Sequence, residues 1–167
     1  LHGHILSGLI DNSISFPFIC LLVSGGHTQI LKINNEIDYE ILAKTVDDAA
    51  GEAFDKGARI LGLKYPGGPE IDRISKNGNL GTYSFTIPKV KSSLVDFSFS
   101  GLKTALLYKV NALNNSLLKS EISNIAACYQ ETIIDTLFQK LDIVLNQTKT
   151  NDVLVVGGVS ANTRFRE

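Results

Sequence analysis

The sequence predicts an α/β fold. Three observations carry the prediction: apolar segments of strand length crowd the first third of the 167 residues, helical periodicity takes over after Asp47, and strand character returns at Asp152–Val156 before Gly157-Gly158. The run Phe16–Val23 is apolar and the right length for a strand, and Thr28–Ile33 follows at once. Between them Gly25-Gly26 predicts a hairpin turn with both glycines at positive φ. Asn34-Asn35 marks the next turn, and Tyr39–Val46 reads as a third strand of an antiparallel meander.

From Asp47 onward the period changes. Ala50, Ala53, Phe54, Gly57, Ala58 and Leu61 fall on one face of a helix, with Asp47 and Asp48 at its positive end and Gly62 as its stop. Glu52, Asp55, Lys56 and Arg59 occupy the other face in i,i+4 pairs. Tyr65-Pro66-Gly67-Gly68-Pro69 predicts a loop, followed by a short helix through Ile71, Asp72 and Ile74. Residues 77–100 are turn-rich. Helices are predicted over Gly101–Leu113 and Ile122–Leu145, and Ser160 sits where a helix N-cap belongs after the last strand.

Composition narrows the functional classes. A chain with 44% hydrophobic residues and a net charge of -1 can collapse around a core, which excludes intrinsic disorder. Sixteen basic against 17 acidic residues leave no strong basic footprint, so any nucleic-acid contact must be local. Cys20 and Cys128 form no C-x-x-C pair and read as small apolar residues in a reducing compartment. No apolar run reaches the roughly 18 residues of a membrane span, so a cytoplasmic protein without membrane contact is expected. The opening Leu1-His2-Gly3-His4 and the lack of any methionine suggest an excerpt of a longer chain.

Candidate chemistry gathers at two glycine-rich strand ends, Ser24-Gly25-Gly26-His27-Thr28 and Gly157-Gly158-Val159-Ser160-Ala161-Asn162. Bare backbone there lets N–H groups approach a phosphate, and tight turns are the alternative use. Asp55 and Asp72 flank the Pro66–Pro69 loop. They suit hydrogen bonds to ribose hydroxyls, or are surface charges on two helices. Lys89, Lys91, Lys103 and Lys109 flank Phe97, Phe99 and Tyr108, a pattern that fits either RNA contact or a solvated face over a core.

Five blocks together resemble the TsaD family of tRNA N(6)-adenosine threonylcarbamoyltransferases. In order they are Leu22–Thr28, Asp47–Lys56, Tyr65–Asp72, Phe97–Thr104 and Gly157–Asn162, and the resemblance covers essentially the whole chain but only the middle of a family member. It implies the two-lobed ASKHA (actin-like ATPase) fold, here incomplete. Residues 1–50 would be the rest of an N-terminal lobe with the phosphate-binding hairpin, and 51–167 a helical insert and the start of a C-terminal lobe.

The resemblance further implies transfer of a threonylcarbamoyl group from threonylcarbamoyl-adenylate to the N(6) amine of the adenosine beside the anticodon. The tRNAs concerned read codons that begin with adenine. Carried over by position, substrate contacts fall on Leu22, Val23, Ser24, Gly25, Gly26, Asp55, Gly68, Asp72 and Asn162. A divalent metal, iron or else zinc, is implied at His4, whose partner ligands would lie before Leu1 and beyond Glu167, so poor metal retention and an inactive isolated chain are expected. TsaB- and TsaE-like proteins are the implied partners. A non-catalytic paralogue acting as a scaffold is the alternative, and the retained Asp55, Asp72 and Asn162 argue against it. A sugar or acetate kinase is less well matched still, because those enzymes lack the block Asp47–Lys56.

Overall fold

In a computed structural model that describes residues 14–87 and 89–167, a four-stranded sheet forms the base of the molecule. Strands β1 (Phe18–Val23), β2 (Thr28–Ile33), β3 (Tyr39–Lys44) and β4 (Val153–Val156) lie in the order β3-β2-β1-β4. The first three make the expected antiparallel meander, and β4 runs parallel to β1 in the register Ile19↔Val153 to Leu22↔Val156. Central β1 is buried at every position, which explains why it reads as an unbroken apolar run rather than an alternating one. Its residues alternate between faces: Ile19, Leu21 and Val23 join the main core, whereas Phe18, Cys20 and Leu22 join a smaller cluster with Leu31, Ile33, Leu154 and Val156. Burial pushes the Cys20 thiol up to about 12, so it stays an inert filler at neutral pH.

Four helices and one short helical turn follow. Helix α1 is Ala50–Ile60, α2 is Gly67–Ser75, α3 is Ser100–Asn111, α4 is Asn115–Thr148 and the last turn, α5, is Thr163–Arg166. Helix α1 lays the predicted face, Ala50, Ala53, Phe54, Gly57 and Ala58, into the core and stops at Gly62, whose φ is +72°. Tyr129 of α4 is fully buried, donates its hydroxyl to the Ala53 carbonyl at 2.9 Å, and presses its ring on Gly57, where a side chain would collide. No helix among the described residues is long and apolar enough to cross a membrane.

Several boundaries differ from the sequence reading for local reasons. Helix α2 begins at Gly67, inside the expected loop, because Pro66 precedes it with extended backbone and Pro69 needs no amide partner in a first turn. Helix α4 begins seven residues before Ile122, because the Asn114 side chain accepts the Leu117 N–H at 2.8 Å and caps it. Ser160 is not an N-cap; it lies within a 3-10 turn over Gly158–Ala161, and Asn162 caps α5 instead.

Helix α3 draws its cap from far away in sequence. The Asp47 carboxylate accepts the Phe99 and Ser100 amides at 2.8 and 3.3 Å and the Ser98 and Ser100 hydroxyls at 2.6 and 2.7 Å. Partial burial pushes the Asp47 carboxyl up, but these donors outweigh it and hold the group below the ordinary range. Phe97 and Phe99 point into the core, stacked 6.2 Å apart, and Lys109 sits 5.4 Å from the Phe85 ring. Phe97 and Phe99 are therefore core residues and Lys109 a cation–π partner, whereas Lys89, Lys91, Lys103 and Tyr108 are exposed.

Candidate functional site

A cleft of about 420 Å³ opens where four pieces of chain converge: the β1–β2 loop, the start of α1, the Pro66 segment with α2, and the turn after β4. Each wall has a local cause. At the β1–β2 loop, Ser24 N–H donates to the His27 carbonyl at 2.8 Å, while Ser24 Oγ accepts the His27 and Gly26 amides at 3.0 and 3.4 Å. That closure leaves Gly25 and Gly26 at negative φ, contrary to the expected turn with both at positive φ. Their value is lateral space: no atom lies within 4 Å of where a Cβ would stand on either, so the loop offers bare backbone.

The start of α1 is seated against that loop. Buried Thr28 accepts the Ala50 N–H at 2.8 Å, and the Ser24 carbonyl accepts the Gly51 N–H at 3.1 Å. A Cβ on Gly51 would stand 2.7 Å from the Ser24 oxygen and 2.8 Å from Gly25 Cα, so only glycine lets helix and loop approach this closely. On the opposite wall, Gly157 has a φ of +102°, and a side chain there would run into the Val23 carbonyl.

Asp55 lies one turn beyond Gly51. Its Oδ1 accepts the Gly67 N–H at 2.7 Å, so α1 supplies the cap that Pro66 cannot give to α2. The predicted Asp55–Arg59 pair is therefore not made; Lys56 forms its predicted pair with Glu52 at 2.9 Å and adds Asp48 at 2.7 Å. Asp72, on α2, accepts the Thr163 hydroxyl at 2.7 Å and the Thr163 N–H at 3.2 Å. Asn162 Oδ1 accepts the Phe165 N–H at 3.0 Å, and its amide nitrogen donates to Gln130 Oε1 at 2.7 Å.

Of the residues named from sequence, Gly25, Asp55, Gly68, Asp72 and Asn162 line the cleft together. Ser24 and Gly26 shape its loop without lining it, and Leu22 and Val23 are buried in β1, where they hold the loop from behind. His27 is exposed and serves the turn through its backbone. His4 lies outside the described residues, among which no group of three or more His, Cys, Asp or Glu could hold a metal. The cleft also contains Arg73 and Lys76, which sequence reasoning missed. Lys76 follows Asp72 by four positions, the spacing that puts two residues on one helix face.

Chemically, the bare glycine backbone at Gly25 and Gly158 suits the approach of an anion. Asp55 and Asp72 retain acceptor capacity for hydroxyls, and Phe54, Pro66, Pro69, Val159 and Ala161 give an apolar lining for a flat ring. That combination is the chemistry of a nucleotide: phosphate, ribose and base.

The family model for TsaD, described as tRNA N6-adenosine threonylcarbamoyltransferase, matches residues 1–167. The chain belongs to this family. Curated TsaD relatives carry the same description. The protein of Methylobacillus flagellatus is 46% identical over 168 residues, covering 100% of this chain and 50% of its own length. That of Fervidobacterium nodosum is 46% identical over 173 residues, covering 99% of this chain and 51% of its own. A third, from Herminiimonas arsenicoxydans, is 44% identical over 168 residues. The chain thus spans about half the length of the curated relatives it matches. With membership comes the ASKHA fold, and the mixed four-stranded sheet with helices is in keeping with it.

Proposed function

We propose that this chain provides the adenylate-binding part of a tRNA N6-adenosine threonylcarbamoyltransferase. The observation that carries the reading is the convergence of Gly25, Asp55, Gly68, Asp72 and Asn162, drawn from four separate sequence blocks, on one cleft. In this reading the glycine loops take the phosphate of threonylcarbamoyl-adenylate, and Asp55 and Asp72 take the ribose hydroxyls. Arg73 and Lys76 offset the negative charge. The tRNA adenosine nitrogen bonds the carbamoyl carbon, the bond from that carbon to the phosphate oxygen breaks, and AMP leaves with the electron pair as the amine gives up a proton. The chain's own part is to bind and orient the donor.

The wider proposal includes a cytoplasmic setting and TsaB- and TsaE-like partners. It also includes a divalent metal, iron or zinc, at His4, which would polarise the carbamoyl oxygen. The described residues contain no group of three or more His, Cys, Asp or Glu that could hold it.

Calorimetric titration with AMP and with a non-hydrolysable analogue of the adenylate tests the reading. Asp55→Asn keeps an acceptor for the Gly67 amide but loses the charge, and should weaken both ligands about tenfold or more. Equal affinity in the variant and the parent would refute the assignment.

A further inference from the structure

A groove of about 450 Å³ adjoins the cleft, and Asp55 borders both. Glu52, Lys56 and Arg59 of α1 line it on one side, and Lys64 and Tyr65, just ahead of Pro66, line it on the other. Its charges are left unbalanced for local reasons. Asp55 is committed to the Gly67 amide at 2.7 Å, and Lys56 is held between Asp48 and Glu52 at 2.7 and 2.9 Å. Arg59, spaced to pair with Asp55, is therefore exposed without a carboxylate, and among the described residues Lys64 has none either. Glu70, the carboxylate whose field Lys64 feels, is taken by Arg73 at 2.9 Å.

Between these two cations stands Tyr65, which is 84% exposed. Among the described residues no other ring stacks on it and no cation sits over it. A single exposed aromatic is ordinary. What distinguishes this one is its company, two unpaired cations and the wall of the nucleotide cleft. A bare ring flanked by free positive charge matches single-stranded RNA, whose bases stack on aromatic faces while its phosphates meet Lys and Arg. An acidic protein segment would meet the cations but give the ring nothing to stack on.

We propose that the Tyr65 ring stacks on the base flanking the reacting adenosine of the acceptor RNA, while Arg59 and Lys64 hold backbone phosphates on either side of it. This rests on the reading of the adjoining cleft as the donor site of a transferase that acts on tRNA. For its amine to reach the donor, the adenine must leave the stack of its loop. The base next to it then loses a stacking neighbour. Tyr65, beside the cleft that holds the donor, supplies the replacement face and steadies the opened loop.

The experiment titrates a fluorescently labelled anticodon stem–loop RNA with the full chain. Tyr65→Ala should weaken binding about fivefold or more, and Tyr65→Phe should stay near the parent. Arg59→Gln and Lys64→Gln should each weaken it and flatten the slope of log K against log salt by about 0.7. Two further RNAs are each abasic on one side of the adenosine beside the anticodon, and one of them should bind the parent and Tyr65→Ala alike. AMP affinity should be unchanged in all four variants. A stem–loop affinity indifferent to Tyr65→Ala, or an equal loss on the intact and both abasic RNAs, overturns the stacking assignment. A polyglutamate peptide bound as tightly as the RNA, with the same dependence on Arg59 and Lys64, overturns it in favour of an acidic protein partner. A parent that binds the stem–loop through Tyr65 but does not bind AMP overturns the cleft reading and leaves the RNA contact standing.

Discussion

Asp72 and Thr163 are 91 positions apart in sequence, yet both oxygens of the Asp72 carboxylate bond to Thr163, one through the hydroxyl at 2.7 Å and one through the amide at 3.2 Å. The pair fastens α2 to the segment after β4, so two walls of the cleft move as one. Thr163→Val keeps the volume, removes the hydroxyl donor and leaves a partly buried carboxylate oxygen unpaired. The expected cost is about 1–2 kcal/mol, with the amide bond surviving. Urea unfolding should show the lower midpoint, and AMP affinity should fall with it because Asp72 is no longer held in place.

The carboxylate of Asp47 makes the fold acid-sensitive in a specific place. Its folded-state pKa is lowered from the ordinary 3.8, so its stabilising bonds are fully present above that value and are lost as pH falls through the folded value. Asp47→Ala should cost about 1–2 kcal/mol at neutral pH, the usual range for a lost helix cap. It should cost progressively less as pH falls below 3.8 and through the lower folded-state value, where the parent carboxyl is itself protonated. Thermal unfolding of parent and variant across this range gives the comparison, and a constant difference at all pH values would contradict it.

Gly51→Ala places a methyl group 2.7 Å from the Ser24 oxygen, a backbone atom that cannot swing away. The β1–β2 loop must shift or α1 must lift. Either response should cost about 1–3 kcal/mol. Gly25→Ala should leave stability near the parent's, because a Cβ there meets no atom within 4 Å, while lowering AMP affinity by covering bare backbone that faces the phosphate. Thermal denaturation and calorimetry on the two variants separate strain from a lost ligand contact.

What could be read from sequence follows from how local each cause is. Strand β2 matches its expected bounds because Thr28–Ile33 is a mostly buried, β-branched and apolar run in its own right, and α1 carries its own amphipathic face and stop. The start of α2 was hidden because Gly67-Gly68-Pro69 has loop composition, and its cap comes from Asp55, 12 residues earlier. Helix α3 takes its cap from Asp47, about 50 residues away, which no window of neighbouring residues contains. The place of β4 beside β1 depends likewise on long-range pairing. In the site, the acidic and glycine positions stood out because they form recognisable blocks. Lys76 belongs to no such block, and Gln130 is a polar residue on the buried face of a long helix whose bond to Asn162 spans 32 positions of sequence.

The central claim is that one cleft, walled by the β1–β2 loop, α1, α2 and the turn after β4, binds an adenylate. Titrating the ¹⁵N-labelled chain with AMP tests it residue by residue. The account predicts that amide shifts concentrate at Gly25, Gly51, Gly68, Gly158 and Ala161, and that Asp55→Asn suppresses them at the same AMP concentration. Shifts clustered instead in the groove lined by Lys56, Arg59, Lys64 and Tyr65, or no shifts at all, would contradict it.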